Sequence, residues 1–236
     1  ASLDTEDLNA LSADQFRGLS TQQIAALSTT QLTSLDAEDL GALGTAQLRA
    51  IRTADFAAFD SSDIAMLSAA QLAGLTSAQL QSMDTADLAG IATDTLAALG
   101  TQAIALLTST QLGALSAGQL QALTPAQVRA LGSAQLAALS TDNLNALSTE
   151  QFSALSSAQV GALTSTQVSV LESADLAALS TTQIRVLSSD QFNALATAQV
   201  PGLTTAQVAA LTSAQFGAME TVDLAALTST QFGALT

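Results

Sequence analysis

The chain has 236 residues, with 20 acidic side chains against five arginines, no lysine and a formal net charge of −15. This charge argues against nucleic acid as a partner, because no basic surface exists to displace counterions from phosphates, and no apolar run is long enough for membrane insertion. Cys, His, Lys and Tyr are absent, so we expect no enzymatic activity and no bound cofactor, with calcium as the one candidate considered below.

An eight-residue repeat runs without insertion or deletion from Asp4 to Leu235. Every position divisible by eight is apolar, and so is the residue three positions further on, from Leu3 to Leu235. We number each octad from the residue that follows this second apolar side chain, so that the two apolar residues stand at its fifth and eighth positions. Residues 1–236 are therefore predicted to form a single continuous array of octads, and we expect it to be a segment of a longer protein.

The spacing of the apolar residues indicates a helix that is broken once per octad. In a continuous α-helix eight residues overshoot two turns by roughly 80°, so the apolar stripe would wind around the helix. In a strand, residues three apart point to opposite faces. Ser, Thr or Asp usually opens the octad and Gln or Asp stands three residues later, as in Ser28 and Gln31, which is the pattern of a capping box.

The predicted fold is therefore all-α: a solenoid of short helices, one per octad, with a β-solenoid as the alternative. Helices this short are unstable alone, so each must bury its two apolar residues against neighbouring repeats. Along the chain, Gly44, Gly100 and Gly132 replace the usual cap residue. Pro125 stands at a first helical position, where its missing N–H is tolerated. Pro201 falls inside a helix and predicts a local kink.

One short stretch departs from the pattern in several places at once. Between Ile91 and Leu107, Ala92 stands at a cap position, and Thr95 and Ala103 replace Gln at fourth positions. We interpret this cluster as drift, with a local binding patch as the alternative.

Acidic residues occupy both the cap and the fourth position in some octads. In these D-x-x-D pairs both acids suit a helix N-terminus, but a pair of carboxylates also suits a hard cation such as Ca²⁺. If three octads form one coil, the pairs that recur at every third octad would stack. The candidate calcium ligands are Asp36, Asp39, Asp60, Asp63, Asp84 and Asp87.

A row of Ser and Thr follows the cap position, for example at Thr21, Thr29 and Thr45. A regular hydroxyl array on a solenoid predicts, as an alternative function, ordering of water or ice binding. Small polar residues also suit the exposed first turn of a helix, and Ala13 and Pro125 interrupt the row.

Several stretches are similar to the octapeptide-repeat regions of large secreted or surface exoproteins of Proteobacteria, many of which resemble type I-secreted adhesins. They are LTTAQVAALTSAQF at 203–216, LSTTQI at 179–184 and LTSTQLGAL at 107–115. The resemblance implies an extracellular or cell-surface location in a bacterium. The calcium-binding pattern G-G-x-G-x-D, which is associated with such exported proteins, is missing here.

The near-identity of the octads favours a structural function over a specific site. We expect a stalk, spacer or fibre-forming segment of an adhesin-like exoprotein, with self-association into fibres or a cell-surface or protein partner. The alternatives are a solenoid surface that binds a protein, calcium or ice.

Overall fold

The computed structural model describes residues 4–235, so Leu3 lies outside the described part of the chain. These residues form 28 short α-helices and one 3-10 helix, and no strand occurs among them. Each octad contributes one helix. The prediction of an all-α solenoid is confirmed, and the β-solenoid alternative is wrong. Over the same residues, no helix has the length and apolar character that a bilayer crossing requires.

The helices belong to two compact units, Ala1–Ala122 and Leu123–Thr236. The first unit contains α1 (Thr5–Asn9), α2 (Ala13–Gly18), α3 (Thr21–Ala25), α4 (Thr29–Leu32), α5 (Ala37–Ala42), α6 (Thr45–Ala50), α7 (Thr53–Phe56), α8 (Ser61–Ala65), α9 (Ala69–Ala73), α10 (Ser77–Ser82), α11 (Thr85–Gly90), α12 (Thr93–Ala98), α13 (Thr101–Ala105), α14 (Ser109–Gly113) and α15 (Ala117–Ala122).

The second unit follows the same plan with one exception, a 3-10 helix near its C-terminal end. It contains α16 (Pro125–Ala130), α17 (Ser133–Ala137), α18 (Thr141–Asn145), α19 (Thr149–Ala154), α20 (Ser157–Gly161), α21 (Ser165–Ser169), α22 (Ser173–Ala178), α23 (Thr181–Arg185), α24 (Ser189–Asn193), the 3-10 helix Thr197–Gly202, α25 (Thr205–Ala209), α26 (Ser213–Ala218), α27 (Thr221–Ala226) and α28 (Ser229–Gly233).

The cap residues start these helices as the sequence predicts. Ser156, in extended backbone, opens α20 and accepts a hydrogen bond from the backbone N–H of Gln159 at 3.2 Å. The Ser156 backbone N–H in turn donates to Gln159 Oε1 at 2.7 Å. The same reciprocal box recurs along both units, so two of the N–H groups that a helix start leaves unpaired are satisfied locally.

Packing between helices supplies the stability that helices of four to six residues lack. Within each unit, helices pack on the third helix after them, as α3 does on α6 and α8 on α11 in the first unit, and α16 on α19 in the second. We call three successive helices a coil. The sequence assumption of three octads per coil therefore matches the packing inside each unit.

The core runs along the inside of the coils and consists of the fifth- and eighth-position side chains. Val160 and Leu163 are representative, with 0% and 2% of their surface exposed. Each such side chain contributes about 1.5–3 kcal/mol by leaving water. Adjacent coils approach closely where the seventh position is glycine: a Cβ on Gly74 would lie 2.6 Å from Thr45 Cγ2.

The two prolines are accommodated differently. Pro125 occupies the first turn of α16 behind the cap Thr124, as predicted. Pro201 lies inside a helix and cannot donate a backbone hydrogen bond. The segment Thr197–Gly202 accordingly winds as a 3-10 helix rather than an α-helix. The local kink stays a prediction.

Candidate functional site: the fourth octad position

Glutamine at the fourth position connects one coil to the preceding one. In α20, Gln159 Oε1 accepts from the Ser156 N–H, while Nε2 donates to the carbonyls of Val128 at 2.9 Å and Leu131 at 2.8 Å. Gln159 is 2% exposed. Those carbonyls lie at the end of α16, where a helix leaves carbonyl groups without intrahelical donors. We call this three-bond arrangement a glutamine bridge.

The bridge recurs with a fixed register. In a bridge, the amide nitrogen reaches back 31 residues, 28 residues or both, as in Gln47 to Phe16 and Leu19 in the first unit. Other bridging side chains are Gln71, Gln79, Gln111, Gln119, Gln151, Gln167, Gln183, Gln191, Gln199, Gln207, Gln215 and Gln231. Sequence analysis predicts the capping half of this arrangement but misses the donating half.

A signal for the donating half is nevertheless present in the sequence. Glutamine fills 19 of the 29 fourth positions, and glutamate fills none. A capping box accepts Glu as readily as Gln, because it uses only the side-chain oxygen. The use of Gln, and never of Glu, therefore indicates that this position usually also needs an N–H donor.

Aspartate at the fourth position cannot donate, so it makes a different contact. Asp55 Oδ1 accepts from Thr29 Oγ1 at 2.6 Å, and Asp223 Oδ1 accepts from Thr197 Oγ1 at 2.8 Å, both across 26 residues. Arg52 Nε adds a 2.5 Å ion pair with Asp55 Oδ2. The hydrogen bonds from Thr29 and Arg52 lower the pKa of Asp55.

Asp39 lacks such a donor. The residue 26 positions before it is Ala13, which has no hydroxyl group. Asp39 is 3% exposed, and its Oδ2 is buried without a hydrogen-bond partner among residues 4–235. Burial, with the neighbouring charge of Asp36, raises the pKa of Asp39.

The six candidate calcium ligands lie in pairs at the N-termini of α5, α8 and α11. Their oxygens serve as helix caps: Asp84 Oδ1 accepts the Asp87 N–H at 2.9 Å, and Asp87 Oδ2 accepts the Asp84 N–H at 2.8 Å. Burial is the largest cause of the raised pKa of Asp87. The packing of α8 on α11 also brings the carboxylate of Asp60 near enough to raise this pKa further.

No group of three or more His, Cys, Asp or Glu side chains within residues 4–235 has the arrangement to hold a metal ion. The structure thus brings Asp36 together with Asp39, Asp60 with Asp63, and Asp84 with Asp87, each pair at one helix N-terminus. Calcium binding stays a prediction. Millimolar Ca²⁺ that raised the melting temperature more than Mg²⁺ does would support it, and no shift with either ion would contradict it.

The stretch from Ile91 to Leu107 contains two consecutive weakly capped helices. Ala92 and Gly100, the cap residues of α12 and α13, accept no side-chain hydrogen bond. Neither helix has a capping box, because Thr95 and Ala103 stand where Gln is usual.

The row of Ser and Thr hydroxyls that follows the cap position is not entirely free to face solvent. Thr29, one of its members, donates a hydrogen bond to Asp55 inside the protein. Ice binding by the remaining row stays a prediction.

The ALTTAQ repeat family matches this chain at residues 1–37, 33–67, 116–149, 141–171, 168–205 and 194–221. A comparison with curated protein sequences finds no significant match. Read as residues, the family name matches Gly202–Gln207 at every letter but the first, and this stretch includes the cap Thr204 and the bridging Gln207. The matched segments cover well over half of the chain, which therefore belongs to the ALTTAQ repeat family.

Proposed function

We propose that this chain is a structural repeat segment that acts as a spacer or stalk in a secreted or cell-surface bacterial protein. The observation that supports the proposal is the recurrence of one coil-to-coil connection, the glutamine bridge, in both units. A protein that presents a binding site usually differs locally where the site lies. Here the same buried contacts repeat, as expected of a segment whose function is to keep a fixed length between the parts that it joins.

The bridges suit a segment under tension. Pulling two coils apart requires the loss of two buried hydrogen bonds at Gln159 together with the separation of core side chains such as Val160. Because each coil contacts only its neighbours, the resistance is distributed along the array. The acidic surface, with a net charge of −15, keeps such an array soluble.

Single-molecule force spectroscopy on the full chain, held at its two ends, tests this proposal. We expect repeated force peaks whose contour-length increments correspond to whole coils of three octads, or about 80 Å per coil. Gln159→Ala should lower the force of one event, and Gln23→Ala, at an exposed position, should leave the pattern unchanged. A chain that extends smoothly without force peaks would contradict a spacer under load.

The proposed location is tested separately. The similarity to adhesin-like exoproteins supports an extracellular or cell-surface position. Antibodies against the chain should label intact bacteria that produce the protein, and added protease should remove the signal. Labelling only after the cells are permeabilised would contradict this location.

A further inference from the structure

Ala103 interrupts the glutamine bridges in the middle of the first unit. It stands at the fourth position of its octad, which Gln79 and Gln111 fill in nearby octads of the same unit. By the register of the bridge, a glutamine at this position would donate to the carbonyls of Leu72 and Leu75. Alanine keeps only the Cβ atom of that side chain, so the carboxamide group and its three hydrogen bonds are absent here.

The backbone groups that a bridge would use at this point lack its hydrogen bonds. The Gly100 N–H has no acceptor among residues 4–235, whereas the N–H of Gly44, also a glycine cap, donates to Gln47 Oε1 at 2.7 Å. The Leu75 carbonyl has no donor within the same residues. The Leu72 carbonyl accepts from the Leu75 N–H at 3.2 Å, which leaves its second lone pair for another donor.

A cavity of about 260 Å³ adjoins Ala103. Its lining includes Ala73 and Leu75, which stand 30 and 28 residues before Ala103, the separations that amide nitrogens span in complete bridges. Leu80 and Leu106 add apolar walls. Leu106 is 36% exposed and replaces the Ala, Gly or Ser that most octads have at the seventh position. The cavity therefore combines backbone groups without partners and an apolar wall that reaches the surface.

We propose that this cavity binds a primary carboxamide on a short aliphatic chain, either a glutamine side chain of a partner polypeptide or a free alkyl amide. The ligand's oxygen accepts from the Gly100 N–H, and its nitrogen donates to the carbonyls of Leu72 and Leu75. Its aliphatic part contacts Leu106. The inference goes beyond the proposed spacer function and does not depend on it.

The groups around the cavity favour an amide over charged groups of similar size. A carboxylate has no hydrogen to donate, and it would place its charge against two carbonyl oxygens. An ammonium cannot accept from the Gly100 N–H, and it would lie near the positive charge of Arg49, which also lines the cavity. A primary amide supplies one acceptor and two donors, as the glutamine of a complete bridge does.

Nuclear magnetic resonance of the full chain, labelled with ¹⁵N, tests this site. Propionamide should shift the Gly100 N–H resonance in a saturable manner, with a Kd of about 10 mM for so small a ligand. The Gly44 N–H is the control in the same spectrum and should not shift, because Gln47 already caps it. Propionate and propylammonium should each produce less than about a tenth of the propionamide response.

Two peptides distinguish the sources of the amide. Acetyl-Ala-Gln-Ala-N-methylamide has its glutamine side chain as its one primary carboxamide, and the same peptide with Glu is its control. Binding of the Gln peptide at least about tenfold tighter than propionamide assigns the site to a partner polypeptide. Binding no tighter than propionamide assigns it to a free alkyl amide.

Ala103→Gln supplies the missing carboxamide from the chain itself. The Gly100 resonance should move in the direction expected of a hydrogen-bonded N–H, and the response to propionamide should disappear. The titration of the unaltered chain, with Gly44 as its reference, is decisive even if this variant folds poorly. An unchanged Gly100 resonance, shifts of equal size at Gly44, or an equal response to propionate or propylammonium would overturn the proposal while leaving the spacer function intact.

Discussion

The octad of Gln159 in the second unit and the octad of Asp39 in the first both form a short helix with two core positions. They differ in the hydrogen bonds that the fourth-position side chain makes. Gln159 accepts the cap N–H and donates to two carbonyls of the preceding coil. Asp39 has an oxygen in place of the donor, and that Oδ2 is buried without a partner in the described part of the chain. The comparison shows that the fourth position has two tasks: starting its own helix and closing the end of another.

The largest expected effect comes from a substitution at Gln159 that places there a buried oxygen without a hydrogen-bond donor, as at Asp39. Gln159→Glu keeps the capping oxygen but places a second oxygen 2.8–2.9 Å from two carbonyls. We expect a loss of about 3 kcal/mol in the free energy of unfolding at neutral pH, because a buried charged acceptor is left unpaired. Urea denaturation measures this loss, which should shrink in acid, where the protonated carboxyl can donate.

Gln23→Glu is the matched control for Gln159→Glu. Gln23 is exposed, and among residues 4–235 its side chain makes only the capping contact, so the change should stay within about 0.5 kcal/mol. Equal losses in the two variants would show that the capping half, not the bridge, carries the stability.

The difference between Gln159 and Asp39 also shows which contacts of this protein can be predicted from its sequence. The octad period, Ser156 as a cap and Gln159 as its box partner are local, and they predict the all-α solenoid correctly. The partners of Gln159 Nε2 lie 28 and 31 residues away, and that distance depends on how the coils wind. The hydrogen bond from Thr29 to Asp55 cannot be predicted from the sequence for the same reason. The contact of Arg52 with Asp55, three residues apart, can be.

The converse substitution should stabilise the first unit. Asp39→Gln places an amide nitrogen where the register of the glutamine bridge offers the carbonyls of Leu8 and Leu11. We expect the free energy of unfolding to rise by about 1–2 kcal/mol, since a buried unpaired oxygen is replaced by a bonded donor, and urea denaturation of the full chain measures it.

Asp55→Gln is the control for that change. Asp55 already has Thr29 and Arg52 as partners, so the same substitution should destabilise the chain or leave it unchanged. A gain of equal size at both positions would mean that glutamine simply suits the helix better.

A smaller effect is expected where the cap itself is missing. Ala92→Ser gives α12 a side chain that accepts from the backbone N–H of Thr95, and should stabilise the helix by about 1 kcal/mol. Native-state hydrogen exchange should show slower exchange in α12, and should show no change in α20, whose cap Ser156 is intact. Unchanged exchange in α12 would mean that packing alone sets its stability.

The smallest expected effect is a pH dependence with opposite signs at the two kinds of aspartate. Burial raises the pKa of Asp39, Asp63, Asp87 and Asp175. Their folded forms hold a proton more tightly than the unfolded chain does, so stability should rise as the pH falls from neutral towards the ordinary aspartate pKa of about 3.9.

Asp55 opposes this trend because its pKa is lowered. Its contribution is complete above the ordinary value and is lost as the pH falls through the lowered pKa. Thermal unfolding followed by circular dichroism should therefore give a melting temperature that increases on mild acidification and declines in stronger acid. Asp39→Asn should flatten the rise, and Asp55→Asn should flatten the decline. If Asp39→Asn leaves the rise unchanged, its cause is the relief of the overall charge of −15 rather than the unpaired oxygen at the fourth position.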